Sequence, residues 1–89
     1  MTRCVLDGAR LGDAAAVYRA LAEAFGFPDY FGHNPDALWD ALSEYSGEPV
    51  ELVWRQAAQS AARLGPRFAE IVTVLQKAAA AGTLTLELA

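Results

Sequence analysis

The chain has 89 residues, 54% of them hydrophobic, and a formal net charge of −4. That length suits one domain, residues 1–89, able to bury a core without metal or disulfide, and the composition excludes a disordered chain. No apolar run approaches the roughly 20 residues of a membrane span, and a net negative charge disfavours nucleic acid, whose phosphates would repel it.

The single Cys4 cannot form an internal disulfide, and the opening residues MTRCVLDG show no apolar signal segment. A cytoplasmic protein is therefore expected. The distribution of charge says more than its sum. Asp29, Asp36, Asp40, Glu44, Glu48 and Glu51 occupy one stretch, and all 7 basic residues lie outside it. Such a patch can steer a cationic protein by long-range attraction, or simply serve as a solvated face.

Arg3–Leu6 is a short apolar run closed by Asp7-Gly8 and reads as a first strand, with Cys4 as a small buried hydrophobe. Asp13 can cap a helix in which Ala14, Val17, Tyr18, Leu21, Ala24 and Phe25 recur at helical spacing, ended by Gly26. Tyr18 is expected to be a half-buried core aromatic. The segment Phe27-Pro28-Asp29-Tyr30-Phe31-Gly32-His33 has no periodicity. It reads as a loop in which Phe27 and Phe31 pin the chain while Tyr30 is exposed.

Asn34-Pro35 starts a second helix, with Asn as cap and Pro at the first position. Asp36, Asp40 and Glu44 then follow at four-residue intervals and are expected on one side of it. Like charges so spaced cost a helix about 0.2–0.5 kcal/mol per pair. Asp36 has a local reason to be acidic, the helix dipole; Asp40 has none. Ala37, Leu38, Ala41, Leu42 and Tyr45 form the buried stripe, leaving Trp39 partly buried.

Val50–Trp54 is β-branched and aromatic, a second strand. Arg55–Leu64 reads as a short helix, and Gly65-Pro66 opens another with Phe68, Ile71, Val72, Leu75, Ala78 and Ala79 inward and Gly82 as its cap. Thr83–Leu88 alternates as a third strand with one buried face. Helical crossovers between successive strands imply parallel pairing. The predicted fold is α/β: a three-stranded parallel sheet packed with about four helices.

There is no phosphate-cradling Gly loop and no Cys/His metal spacing, so no cofactor is expected. His33 with Asp36 or Asp40 could form an acid–base pair or a divalent-metal site, but too few active-site roles can be filled for an enzyme. Tyr30, Asn34, Asp36, Trp39, Asp40 and Glu44 on one loop–helix surface suit a protein interface instead, aromatic anchors between carboxylates. A carboxylate offers Arg the same paired acceptors that a phosphate does.

The run Pro28 to Asp40, PDYFGHNPDALWD, closely resembles the signature of the barstar family, intracellular inhibitors of a small secreted guanyl-specific bacterial ribonuclease. The likeness continues through Pro49 and Glu51 to Gln56. It implies that Asp40 occupies the ribonuclease phosphate pocket, that Asp36 meets adjacent basic groups, and that Tyr30 lies against the catalytic histidine. Gly32, Asn34 and Trp39 would complete the contact; Glu44 and Tyr45, on the same surface but outside the family pattern, are also expected to bind the partner. Charge, the shortness of the apolar runs and the lack of an active-site set lead to the expectation of no enzyme activity and no nucleic-acid or membrane partner.

Some residues depart from the family's type member. Lys77 stands where that protein has a glutamate that reaches the enzyme. Glu44 and Tyr45 replace glycine and tryptophan, His33 replaces an acid, and Ala41 and Thr83 replace two cysteines. The expectation is the same target class with a different cognate enzyme. The alternatives are an immunity or regulatory module on this scaffold with another cationic partner, and a metal enzyme at His33, Asp36 and Asp40.

Overall fold

The computed structural model describes residues 2–28 and 30–89. Asp29, counted above in the acidic stretch, lies outside the described residues. The elements run β1 (Thr2–Asp7), α1 (Ala14–Phe25), α2 (Pro35–Glu44), β2 (Val50–Arg55), α3 (Ala57–Leu64), α4 (Pro66–Ala80) and β3 (Leu84–Leu88). The strands form one parallel sheet in the order β1-β2-β3, so the α/β reading holds.

Register fixes which side chains share a face. Cys4, Leu52 and Leu86 align across the three strands, and Leu6, Trp54 and Leu88 form the next row. Leu6, Leu52, Trp54 and Leu84 join the core with Val17 and Leu21 of α1, Leu38 and Leu42 of α2, and Ile71 and Leu75 of α4. Val53 is buried but lies outside that core, on the other side of the pleat. The outward face carries the Arg3–Glu51 ion pair, 3.4 Å apart. Glu51 therefore has a cation of its own on the sheet.

The helix ends follow from local chemistry. Asp13 accepts a hydrogen bond from the Ala16 N–H at 2.8 Å, and Gly26 closes α1 with a left-handed φ of 72° that costs glycine little. The cap of α4 is Ala81 rather than Gly82. Gly82, at φ 89°, is the next residue, and the Thr83 N–H reaches back to the Ala78 carbonyl at 3.0 Å. This Schellman closure holds Thr83 on the helix end, so β3 starts one residue later than predicted.

Other differences have tertiary causes. Arg55 belongs to β2, not to the following helix, because it continues the ladder opposite Asp7. Gln56, at φ 55°, then turns the chain and α3 starts at Ala57. Tyr18 is only 3% exposed, because Phe31 and His33 close over it. Val74 is buried beyond the predicted stripe of α4. The inward face of β3 fades from buried Leu84 through half-buried Leu86 to exposed Leu88.

The junction after β2 is locked by a buried polar pair. The Trp54 indole N–H donates to Ser60 Oγ at 2.9 Å, and both residues are fully buried. Gly8, whose N–H donates to the Arg55 carbonyl at 2.9 Å, presses on this corner. A Cβ there would sit 2.5 Å from the Gln56 carbonyl oxygen and 2.8 Å from that of Arg55. Gly8→Ala is expected to destabilise by about 1–3 kcal/mol through overpacking against backbone. Gly12→Ala, which meets nothing within 4 Å, should change the urea-unfolding midpoint little.

Candidate functional site

Helix α2 begins where the sequence places it. Asn34 Oδ1 accepts from the Ala37 N–H at 2.8 Å, Pro35 occupies the first turn, and Asp36 sits there as well. The start sets the phase of the helix: Leu38 and Leu42 are fully buried, and α2 packs across α4. Everything else on the helix is positioned by that stripe.

Two concavities flank α2. The first, about 440 Å³, lies between the helix and the loop after α1, and Tyr30, Gly32, Asp40, Glu44 and Tyr45 line it. The second, also about 440 Å³, lies towards α4 and holds Asp36, Trp39, Glu70, Thr73 and Lys77. The predicted single row of acids is thus divided. Four residues advance a helix by about 400°, roughly 40° past a full turn, so each successive acid drifts sideways. Asp36 and Glu44 end on opposite flanks. Among the described residues none of Asp36, Asp40 and Glu44 has an ion-pair partner.

The predicted site residues differ in how free they are. Tyr30 is 89% exposed and Trp39 is 38% exposed. Asn34 is exposed but its oxygen is committed to the cap. Gly32 lies close to that cap; a Cβ there would be 3.1 Å from Asn34 Nδ2 and 3.3 Å from the Ala37 Cβ. Tyr45 is half-buried, with its hydroxyl donating to the Glu48 carbonyl at 2.6 Å and its ring edge-on to Phe25.

The loop that carries Tyr30 is fastened by rings. Phe27 packs against Phe25 at 5.6 Å and against Phe31 at 4.9 Å. Phe31 meets Tyr18 at 6.2 Å, and His33 stacks on Tyr18 at 5.7 Å with planes 11° apart. His33 is thereby turned towards α1, beside Arg19 and Glu23. The structure does not gather His33, Asp36 and Asp40 into a centre. Among the described residues no group of three or more His, Cys, Asp or Glu is placed to hold a metal ion.

Ala37 and Ala41, expected in the buried stripe, are only half-buried and form part of the first groove with Phe25 and Phe27. Their i,i+4 spacing beside Asp40 was the available signal. Away from the grooves, Cys4 is half-buried, and burial raises its thiol pKa.

The domain is an α/β fold with an acidic, aromatic edge along α2. Comparison with known proteins gives the particular class. Residues 1–86 match the family model "Barstar (barnase inhibitor)". A protein of Bacillus subtilis (strain 168), named "Putative ribonuclease inhibitor YrdF", is 32% identical over 78 residues, spanning 88% of this chain and 86% of its own. The chain belongs to the barstar family, whose members are inhibitors and not enzymes. Among the described residues, no helix is long and apolar enough to cross a membrane.

Tyr18 links the loop to α1, and its phenol pKa is raised, first by burial and then by the charge of Glu70, against a lowering by Arg67. A raised pKa means that the folded state holds the proton more tightly than the unfolded chain. Its contribution is complete below the ordinary value of 10.0 and is lost as pH rises through the folded value. Tyr18→Phe is therefore expected to flatten the fall in stability above pH 10, measured by urea unfolding across the alkaline range.

Proposed function

We propose that this chain, acting as one barstar-like domain, inhibits a small extracellular guanyl-specific ribonuclease, binding it 1:1 in the cytoplasm of the producing cell as an immunity protein. Family membership and the likeness to the Bacillus subtilis protein support the ribonuclease-inhibitor role. The observation that carries the binding mode is Asp40: an exposed carboxylate without an ion-pair partner among the described residues, on the wall of an aromatic groove shared with Tyr30 and Gly32.

The chemistry follows from what a ribonuclease active site must hold. It binds phosphate with cationic side chains. A carboxylate presented rigidly by a helix offers those cations two acceptors in the same fork geometry and cannot be cleaved. In this reading Asp40 enters the phosphate position, Tyr30 lies against the catalytic histidine, and Asp36 meets a neighbouring basic group from the second concavity. Gly32, Asn34 and Trp39 complete the contact, with Tyr45 at its margin. Glu44 calls for a basic surface on the cognate enzyme, and Lys77 for a less basic one.

Mixing the protein with a panel of small guanyl-specific ribonucleases and following RNA cleavage tests this. Inhibition of at least one is expected, with an association rate that falls as salt rises. No inhibition across the panel favours a different cationic partner on the same scaffold. Asp40→Ala should weaken binding by at least about 2 kcal/mol, because it strands desolvated cations on the enzyme. Glu48→Ala, an exposed residue, should cost under about 0.5 kcal/mol. Comparable losses would remove Asp40 as the anchor.

A further inference from the structure

We propose that Glu44 is a specificity-determining residue, and that Asp40 and Glu44 together grip one arginine side chain of the partner in the first groove. This rests on the reading of that groove as the ribonuclease contact, and extends it by one helical turn.

The groove is built for a long, flat cation. Ala37 and Ala41 are small on the helix side, and Phe27 and Phe31 supply ring surface on the loop side. The groove is an open surface depression of about 440 Å³, with room for one flat side-chain head. Among the described residues, its polar side chains are Tyr30, Asp40, Glu44 and Tyr45. The Tyr45 hydroxyl is already spent on the Glu48 carbonyl. What the groove offers an occupant is therefore two carboxylates, one exposed phenol and aromatic surface.

That set distinguishes among cations. Residues one turn apart on a helix stand about 5–6 Å from each other at Cβ. A guanidinium has two N–H edges, each able to take a carboxylate, so one arginine can satisfy both acids while its plane lies on a ring. An ammonium is a compact, strongly hydrated point charge and lies poorly between them. An imidazolium has two donors that point apart. Binding of one arginine also cancels the repulsion that Asp40 and Glu44 impose on α2.

The test uses the free protein and small probes. Nα-acetyl-arginine amide and Nα-acetyl-lysine amide are titrated into ¹⁵N-labelled protein and followed by amide shifts. Saturable shifts at Tyr30, Gly32, Ala41 and Glu44 are expected, with the arginine probe several-fold tighter than the lysine probe. Glu44→Gln should weaken the arginine probe by about tenfold, the loss of one charge-assisted pair, and abolish the preference. Glu48→Gln should leave both unchanged, and the same spectra show whether each variant is folded.

Shifts that fail to saturate or scatter over the surface overturn the inference. So do equal affinities for the two probes, or a Glu44→Gln protein that behaves like the parent. No ribonuclease enters this experiment. Inhibition of a ribonuclease without an arginine preference removes only the role of Glu44; an arginine preference without inhibition removes only the ribonuclease reading.

Discussion

An exposed side chain binds at a lower entropic cost when the loop beneath it is held in place, and Tyr30 is 89% exposed. Here that hold is a continuous run of ring contacts. It passes from Tyr45 at the end of α2 to Phe25 of α1, then through Phe27 and Phe31 to Tyr18. Each such pair contributes about 0.5–1.5 kcal/mol beyond the area it buries. The run ties the C-terminal end of α2 and the loop before the helix to α1, and fixes the wall of the groove opposite Asp40. Pre-ordering of this kind lowers the entropy that binding must otherwise spend on a loop.

The second constraint is the phase of α2. Asn34 and Pro35 start the helix, and the Leu38–Leu42 stripe decides which way it faces. With those fixed, the positions of the acids follow from helix geometry alone. Asp36 falls towards α4 beside Trp39, and Asp40 and Glu44 fall towards the loop. Four-residue spacing would keep them in one line only if a turn held four residues. The sideways drift lets one short helix serve two surfaces of different chemistry, one with carboxylates over rings and one that includes Lys77.

Most of the fold could be read from periodicity and caps. Asp13, Gly26, Asn34 and Pro35 mark helix ends in the sequence and in the structure alike. Arg55 and Tyr18 differ from the pattern expected of their neighbours in sequence because their surroundings are not local. Arg55 stays in β2 through its pairing with β1, some 50 residues away in sequence. Tyr18 is covered by rings that arrive from a loop without periodicity. Tyr30, Trp39 and Asp40 stood out as a loop–helix surface, but its division into two grooves needed the true pitch of the helix.

The residues that lock the sheet are mostly not those that line the first groove. The corner made by Trp54, Ser60 and Gly8 holds β2, while the groove lies between α2 and the loop after α1. Glu44 and Lys77 depart from the pattern of the family's type member, and both are exposed. Exposed substitutions of this kind usually cost within about 0.5 kcal/mol, so a family can vary them and keep its fold. Tyr45 is the exception. Its ring packs on Phe25 and its hydroxyl on the Glu48 carbonyl, and a Cβ on Gly47 would come within 2.5 Å of that hydroxyl. Tyr45 and Gly47 are therefore a matched pair. The margin of the site can change its charge freely at Glu44, but it can change shape at Tyr45 only together with the turn that follows.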